Sequence, residues 1–285
     1  MSRLAHLSQR IFNTPLMIHP RKAEVIIASL SDRLGITHAY RMMECDDQFL
    51  AQQYDGSSDD VHSYELLEGV AVIPVHGTLV QRSGYLSAYS GMTGYDGIRQ
   101  NFLVALEDPA VRAIVLDIDS PGGEVSGCFD LVDTIYEARG RKPIRAILTE
   151  NAYSAAYAIA SAADRISVPR TGGTGSIGVV WMHVDWSKAL DKAGLAVTFI
   201  TYGARKAEGN PYQPLGDASE RIQETIDEVG ELFVGTVSRN RRLSADLVRG
   251  TEAGVFQGAA GVSLGLADAV ESPDAAFLAL LDELG

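Results

Sequence analysis

The sequence predicts an α/β domain built on a largely parallel sheet. From about residue 68 onward, short apolar runs typical of strands alternate with stretches whose apolar residues recur at helical spacing. Gly- and Pro-containing turns separate the two kinds of segment. Strands that alternate with helices pair in parallel, because each helix carries the chain back across the sheet.

The elements follow one another in a regular order. The first predicted strand covers 70–75, and the clearest covers 113–118, an apolar run interrupted only by Asp117. Further strands are predicted at 144–148, 165–168, 178–182 and 196–200. Helices are predicted at 97–107, 124–139, 154–163, 187–194, 218–241 and 244–250, followed by two short helical patterns.

The N-terminal region departs from this alternation. After Pro20, the apolar residues at 23, 26, 27 and 30 share one helical face, and residues 51–63 are polar and rich in turn formers. We therefore expect a helical extension and linker at 1–63, the main domain at 64–272 and a C-terminal tail at 273–285. The extension is expected to be an appendage outside the main core.

Composition excludes several classes of function. The chain has 285 residues, with 24 Lys and Arg against 37 Asp and Glu, for a net charge of −13. Nucleic acids and anionic membranes are bound through clustered Lys and Arg, so we expect neither as a partner. With no run of 18 apolar residues and no signal peptide in the sequence, we expect a location in the cytoplasm. Two cysteines cannot form a disulfide framework, and Cys128 is expected to be a buried filler rather than a catalytic thiol.

Two strand ends carry residues suited to chemistry, since functional groups of parallel α/β sheets gather where strands end. Pro121-Gly122-Gly123 offers bare backbone N–H groups to an anion, although a tight turn without a chemical role is the simpler interpretation. Ser154 begins a helix of very small residues. It fits an N-cap, the simpler interpretation, or a nucleophile whose oxyanion is bound by the Ala155 N–H.

A serine nucleophile also needs a base. His76 ends a strand and His183 lies among aromatic residues, and a structural role is the simpler interpretation of each. The other four histidines lie in the N-terminal region. Lys206, in a segment bounded by Gly and Pro, is the alternative base, although most lysines are solvated surface residues. The residues by themselves leave the base open.

Four short blocks occur in order, at 121–123 (PGG), 151–156 (NAYSAA), 174–179 (TGSIGV) and 206–211 (KAEGNP). Together they resemble the signal peptide peptidase A family of serine peptidases, over about residues 68–272. The resemblance implies the Clp protease/crotonase-like fold, made of repeated β-β-α units.

Two further segments narrow the resemblance. The N-terminal NTPLM at 13–17 and the loop YSGMTGY at 89–95 are similar to the branch of this family that matures the heads of lambda-like tailed phages. That branch implies a homo-oligomeric serine endopeptidase that cleaves scaffold, portal or capsid protein and itself during procapsid maturation in the bacterial host. It needs neither a metal nor a cofactor.

The resemblance also assigns roles to individual residues. It implies a Ser–Lys dyad with Ser154 as nucleophile and Lys206 as general base, which leaves both histidines with structural roles. Ser176 would orient the lysine by a hydrogen bond. The oxyanion hole would combine the N–H of Ala155 with that of Gly123 or Gly122. Because burial in apolar surroundings favours a lysine that accepts a proton at neutral pH, we expect Lys206 to be buried beside the two serines.

Substrate preference and two other functions stay open. Small residues around Ser154 predict small or apolar side chains before the cut, in a peptide that adds a strand to a sheet edge. One alternative function is a housekeeping cytoplasmic peptidase of the same family in a bacterium. The other is a catalytically inactive subunit for capsid assembly. A crotonase-like enzyme acting on coenzyme A esters is a weaker rival, because it would leave the Ser–Lys pair unexplained.

Overall fold

The computed structural model describes residues 12–23, 64–82 and 91–285. Within these ranges, ten strands belong to one mixed sheet. The strands are β1 (Leu16–Ile18), β2 (Glu65–Leu67), β3 (Val70–Val80), β4 (Met92–Gly94), β5 (Ala113–Glu124), β6 (Ile144–Tyr153), β7 (Arg165–Val168), β8 (Gly173–Gly175), β9 (Val255–Gln257) and β10 (Ala269–Val270).

Helices connect these strands and cover the sheet. They are α1 (Tyr95–Glu107), α2 (Cys128–Glu137), α3 (Ala155–Ser161), α4 (Ser187–Lys192), α5 (Ala218–Arg241), α6 (Ala245–Arg249), α7 (Ala259–Ser263) and α8 (Pro273–Leu284). Each helix predicted from the main domain is present, and the bounds of α5 agree with the prediction. None of the helices in the described ranges is long and apolar enough to cross a membrane.

The centre of the sheet is parallel, which confirms the α/β class. β3 pairs with β5, β5 with β6 and β6 with β7, all in parallel. The register shifts between His76 and Thr78 of β3, and between Ile118 and Ser120 of β5. Beyond these shifts, the carboxyl-terminal parts of β3 and β6 pair with the short strands β4 and β8. The long strands therefore extend past the main layer and build a second set of pairings around their carboxyl ends.

The two faces of β5 explain how the sheet is buried. Ile114, Leu116 and Ile118 lie in the main apolar core with α1, α2, α3 and α5. Alternate residues point the other way, and Ala113 and Val115 pack with Ala276 and Leu280 of α8. The segment predicted to be a tail is thus a helix that covers one face of the sheet.

Three other expectations differ from the structure. Residues 178–182 contribute one bridge, between Leu16 and Val180, rather than a strand. Residues 196–200 are exposed and lie outside any strand. The N-terminal segment is no appendage in its described part, because β1 pairs with β5 and is fully buried. Residues 24–30 of the predicted N-terminal helix lie outside the described residues, whereas 20–23 are helical. Of the loop at 89–95, residues 89 and 90 lie outside the described residues, and Met92–Gly94 forms β4.

Candidate active site

Ser154 lies at the junction of β6 and α3 in a conformation that L residues rarely adopt. Its φ and ψ are 55° and −119°, and its side chain makes no capping hydrogen bond within the described structure. The backbone is fixed on both sides: the Ser154 N–H donates to Gly175 O at 2.9 Å, and Ala158 N–H donates to Ser154 O at 2.9 Å. Such a conformation costs about 1–3 kcal/mol, so the N-cap interpretation leaves it unexplained. A nucleophile on a sharp strand-to-helix turn accounts for it.

Within the described residues, the hydroxyl of Ser154 makes no short hydrogen bond. The residue is buried, and its Oγ lies 3.4 Å from Gly178 O, which is long for a hydrogen bond between oxygens. The following residue, Ala155, is the first of α3, so its N–H has no acceptor within the helix. All seven residues of α3 are buried, and five of them are alanine or serine, which allows the helix to pack closely.

The glycine turn of β5 lies against Ser154. A methyl group built on Gly122 would lie 2.2 Å from Met17 O and 3.0 Å from Ser154 Cβ, and one on Gly123 would lie 1.8 Å from Leu79 O. The φ of +97° at Gly122 also favours glycine. Gly122 N–H donates to Ser120 Oγ at 3.1 Å. This leaves the N–H of Gly123 as the better oxyanion donor of the two.

Ser176 directly follows β8, the strand that pairs with β6 next to Ser154. Its neighbour Gly175 accepts the Ser154 N–H, and Ser176 N–H donates to Gly254 O at 2.7 Å. Ser176 is 5% exposed and has a φ of 54°. Within the described ranges its hydroxyl has no hydrogen-bond partner, so it is free to bind an incoming group. The sheet therefore brings five predicted site residues together: Gly122, Gly123, Ser154, Ala155 and Ser176.

Comparisons with known proteins decide the family. A sequence profile of peptidase family S49 matches residues 137–284. The chain is 39% identical to capsid assembly protease C of Escherichia phage lambda over 293 aligned positions, which cover 100% of this chain and 67% of that protein. The chain belongs to peptidase family S49.

A second phage protein is also similar to the S49 chain, and one solved structure has a similar fold. It is 39% identical to head-tail preconnector protein GP5 of Enterobacteria phage P21, and the match covers 93% of this chain but only 54% of that protein. A ClpP1 mutant from Listeria monocytogenes is similar in structure, with a TM-score of 0.43 and 14% identity, over 70% of this chain and 90% of that one. The family predicted from the four ordered blocks is thus confirmed.

The prediction that Lys206 of the S49 chain is buried is wrong. The residue is exposed, and within the described residues its ammonium hydrogen-bonds neither Ser154 nor Ser176. The reason lies in residues 191–206, all of which are exposed. Beyond Lys206, a backbone hydrogen bond attaches the chain to the residue before α4: Trp186 N–H donates to Pro211 O at 2.7 Å. Within the described part of a single chain, this segment therefore leaves the lysine unburied.

His76 and His183 each contact a structural partner, in agreement with the simpler interpretation of the sequence. His76 hydrogen-bonds Asp117 at 3.0 Å, and this bond raises the pKa of His76 against the opposing effect of burial. The ring of His183 stacks on Trp181 with centroids 5.8 Å apart, and its Nδ1 lies 3.2 Å from Asn13 Oδ1. Neither histidine hydrogen-bonds Ser154 in the described part of the chain.

Cys128 is the filler that the sequence indicates. It is fully buried, its thiol lies 3.7 Å from Ala155 O, and burial raises the pKa of Cys128 to about 12. A thiol with that pKa stays protonated at neutral pH and is a poor nucleophile. Cys45 lies outside the described residues.

Sequence reasoning missed two contributors to the site. Ser120 is fully buried, donates to Gly77 O at 2.6 Å and accepts the Gly122 N–H, so it holds the glycine turn in place. A serine directly before Pro-Gly-Gly was the available signal. The second contributor is β1, whose pairing with residues 122–124 brings the N-terminal segment to the nucleophile.

Proposed function

We propose that this chain is a serine endopeptidase that uses a Ser154–Lys206 dyad to mature the head of a tailed phage. The observation that carries the proposal is the strained Ser154, which is buried beside the Gly122–Gly123 turn with no capping role for its hydroxyl. The names of the lambda and P21 relatives, a capsid assembly protease and a head-tail preconnector protein, favour scaffold, portal or capsid protein as substrates. The chain itself is a further substrate.

The proposed chemistry is acyl transfer. Ser154 Oγ attacks the substrate carbonyl carbon while its proton passes to the Lys206 amine, and the N–H groups of Gly123 and Ala155 bind the oxyanion. The lysine then protonates the leaving amine, and the acyl group stays on Ser154. Water, deprotonated by the same amine, releases the acid and restores the serine. Ser176 orients the lysine through its hydroxyl.

This chemistry requires Lys206 to reach Ser154, and a second copy of the chain explains how. The segment before Lys206 exposes large apolar side chains at 42–102% of their full area: Leu195, Val197, Phe199, Ile200 and Tyr202. Exposed apolar runs of this kind mark surfaces that associate. We propose that a second copy covers this segment, and that burial there brings the lysine to its working position. Assembly and activity are then coupled.

Substitution of Ile200 by aspartate should therefore weaken assembly and activity together. Ile200 is 98% exposed, so the single chain loses no packing, whereas an interface would have to bury a carboxylate. We expect self-association, measured by light scattering during size-exclusion chromatography, to weaken at least about tenfold, or about 1.4 kcal/mol. Leu278→Asp on α8 is the matched control, since Leu278 is 61% exposed far along the chain from this segment. Normal assembly and activity of I200D would contradict the proposal.

The substrate assignment is tested by mass spectrometry of the chain co-expressed with the head proteins encoded beside it. With the wild-type chain, we expect new termini in scaffold, portal or capsid protein and in the chain itself. With Ser154→Ala, all of these proteins should stay intact. Cleavage of other cellular proteins alone would favour a housekeeping peptidase, and no Ser154-dependent cleavage at all would favour an inactive assembly subunit.

A further inference from the structure

Strand β1 fills a slot beside the candidate nucleophile. On one edge it pairs antiparallel with the end of β5, with Leu16 opposite Glu124 and Met17 opposite Gly123. On the other edge, Leu16 N–H donates to Val180 O and Val180 N–H donates to Leu16 O, both at 2.9 Å. An extended peptide that enters an active site by strand addition makes hydrogen bonds of this kind. The chain's own N-terminal segment therefore lies where a substrate strand fits.

The register places one carbonyl at the oxyanion donor. His19 N–H donates to Pro121 O at 2.8 Å, and hydrogen-bonded pairs alternate along an antiparallel ladder. Met17 and Gly123 are consequently the next hydrogen-bonded pair, so the Met17 carbonyl faces the Gly123 N–H. The same carbonyl oxygen and Ser154 Cβ both lie within 3.0 Å of the position that a Gly122 side chain would take. The backbone of β1 thus passes close to Ser154.

The side chains of β1 alternate between two environments. Met17 is 0% exposed and lies in the main apolar core, whereas Leu16 and Ile18 pack on the opposite side with Val180 and Met182. Burial of the Met17 side chain helps to hold the strand in place. The slot therefore includes a deep apolar pocket that accepts an unbranched side chain.

Both ends of the segment are attached around the site. Asn13 N–H donates to Met182 O at 3.0 Å, and the Asn13 side chain contacts His183. At the other end, the His19 ring lies 5.0 Å from the ring of Tyr153, the residue before Ser154. The segment is therefore bound along its length on both sides of the nucleophile.

We propose that residues 13–19 are an autoinhibitory strand that occupies the substrate slot in this state. Displacing it frees the slot for peptides of the same kind, which are extended and place an unbranched apolar side chain in the Met17 pocket. This inference rests on the proposed function, because it takes the Ser154 site to be the place of cleavage. The strand blocks the site and is not itself cut.

The test opens the slot in the full-length chain. Met17→Asp puts a carboxylate into the apolar pocket and should release β1. In the active chain, we expect hydrolysis of an added peptide to rise at least about tenfold. Ala276→Asp is the matched control, since Ala276 is a buried residue of α8 that packs away from the slot; this variant should not gain activity. Leu16→Pro is a second opening variant, because it removes the N–H that donates to Val180 and keeps Met17.

A binding measurement separates this inference from the proposed function. In a Ser154→Ala background, we expect a fluorescent peptide with the sequence of residues 12–20 to bind M17D and L16P at least about tenfold tighter than the parent, by anisotropy. Tighter binding without faster hydrolysis would refute the proposed function and support occupancy of the slot by β1. Unchanged binding in folded M17D and L16P would overturn the inference, as would a wild-type chain cut between Met17 and Ile18. Circular dichroism identifies the folded variants.

Discussion

Replacement of Ser154 by alanine should lower kcat/KM for a peptide substrate by roughly 10⁴- to 10⁶-fold. The proposed mechanism has no second nucleophile, so the remaining rate reflects only binding and oxyanion stabilisation. The fold should persist, because within the described residues the hydroxyl makes one long hydrogen bond, to Gly178 O at 3.4 Å. Progress curves with a fluorogenic peptide measure the loss. Ser263→Ala on α7 is the control, since that hydroxyl bonds only Ala259 O within its own helix.

The strain at Ser154 adds a second part to this prediction. With φ at 55°, glycine fits the position better than alanine, so Ser154→Gly should be more stable than Ser154→Ala by about 1 kcal/mol. Thermal unfolding measures the difference, and both variants should be inactive. An active Ser154→Ala variant would refute the nucleophile. A glycine variant less stable than the alanine variant would instead show that strain is not stored there.

Replacement of Lys206 by methionine should abolish activity to a similar extent, about 10³-fold or more, because the serine then lacks a base. Lys206→Arg should be equally inactive, since a guanidinium does not give up its proton near neutral pH. Arg205→Met is a close control: both residues are exposed neighbours in one segment, and removal of either lowers the positive charge by one. Kinetics of the purified variants distinguish them. Activity of K206M close to that of R205M would refute the dyad.

Mixing the two inactive variants tests how Lys206 reaches the nucleophile. If the lysine comes from a second copy, Ser154→Ala mixed with Lys206→Met should regain activity, because each supplies the group that the other lacks. If assembly only folds the segment back onto its own chain, the mixture should stay inactive. Either result is compatible with the dyad, and the two results distinguish the arrangements.

The central sheet and the place of Ser154 at a strand end were predictable because short-range patterns determine them, whereas a nucleophile role for Ser154 was implied only by the family resemblance. Residues 113–118 are apolar on both faces except at Asp117, since one face packs on the core helices and the other on α8. Ser154, Gly122 and Gly123 stand at strand ends, where the topology of a parallel sheet gathers functional groups. Their convergence follows from the order of β5 and β6 in the sheet.

Two features were unpredictable for physical reasons. Residues 196–200 combine β-branched and apolar side chains typical of a strand, yet a strand also needs a partner, and this segment pairs with none of the described residues. Residues 16–18 form too short a run to indicate a strand, and their burial comes from a slot built by residues 122–124 and 180, which are distant in sequence. The exposure of Lys206 was unpredictable for the same reason as that of residues 196–200, because its surroundings depend on what covers the neighbouring segment.

Covalent labelling with a fluorophosphonate tests whether Ser154 is an activated nucleophile. The labelled chain is analysed by intact-mass and peptide mass spectrometry. Fluorophosphonates react preferentially with a serine whose hydroxyl is activated beside an oxyanion hole. We predict one adduct per chain, located on Ser154, formed faster in Met17→Asp and absent from Ser154→Ala. The assignment of Ser154 as the nucleophile would be contradicted if the chain stayed unlabelled even when Met17→Asp opens the slot. Labelling at another serine would contradict it as well.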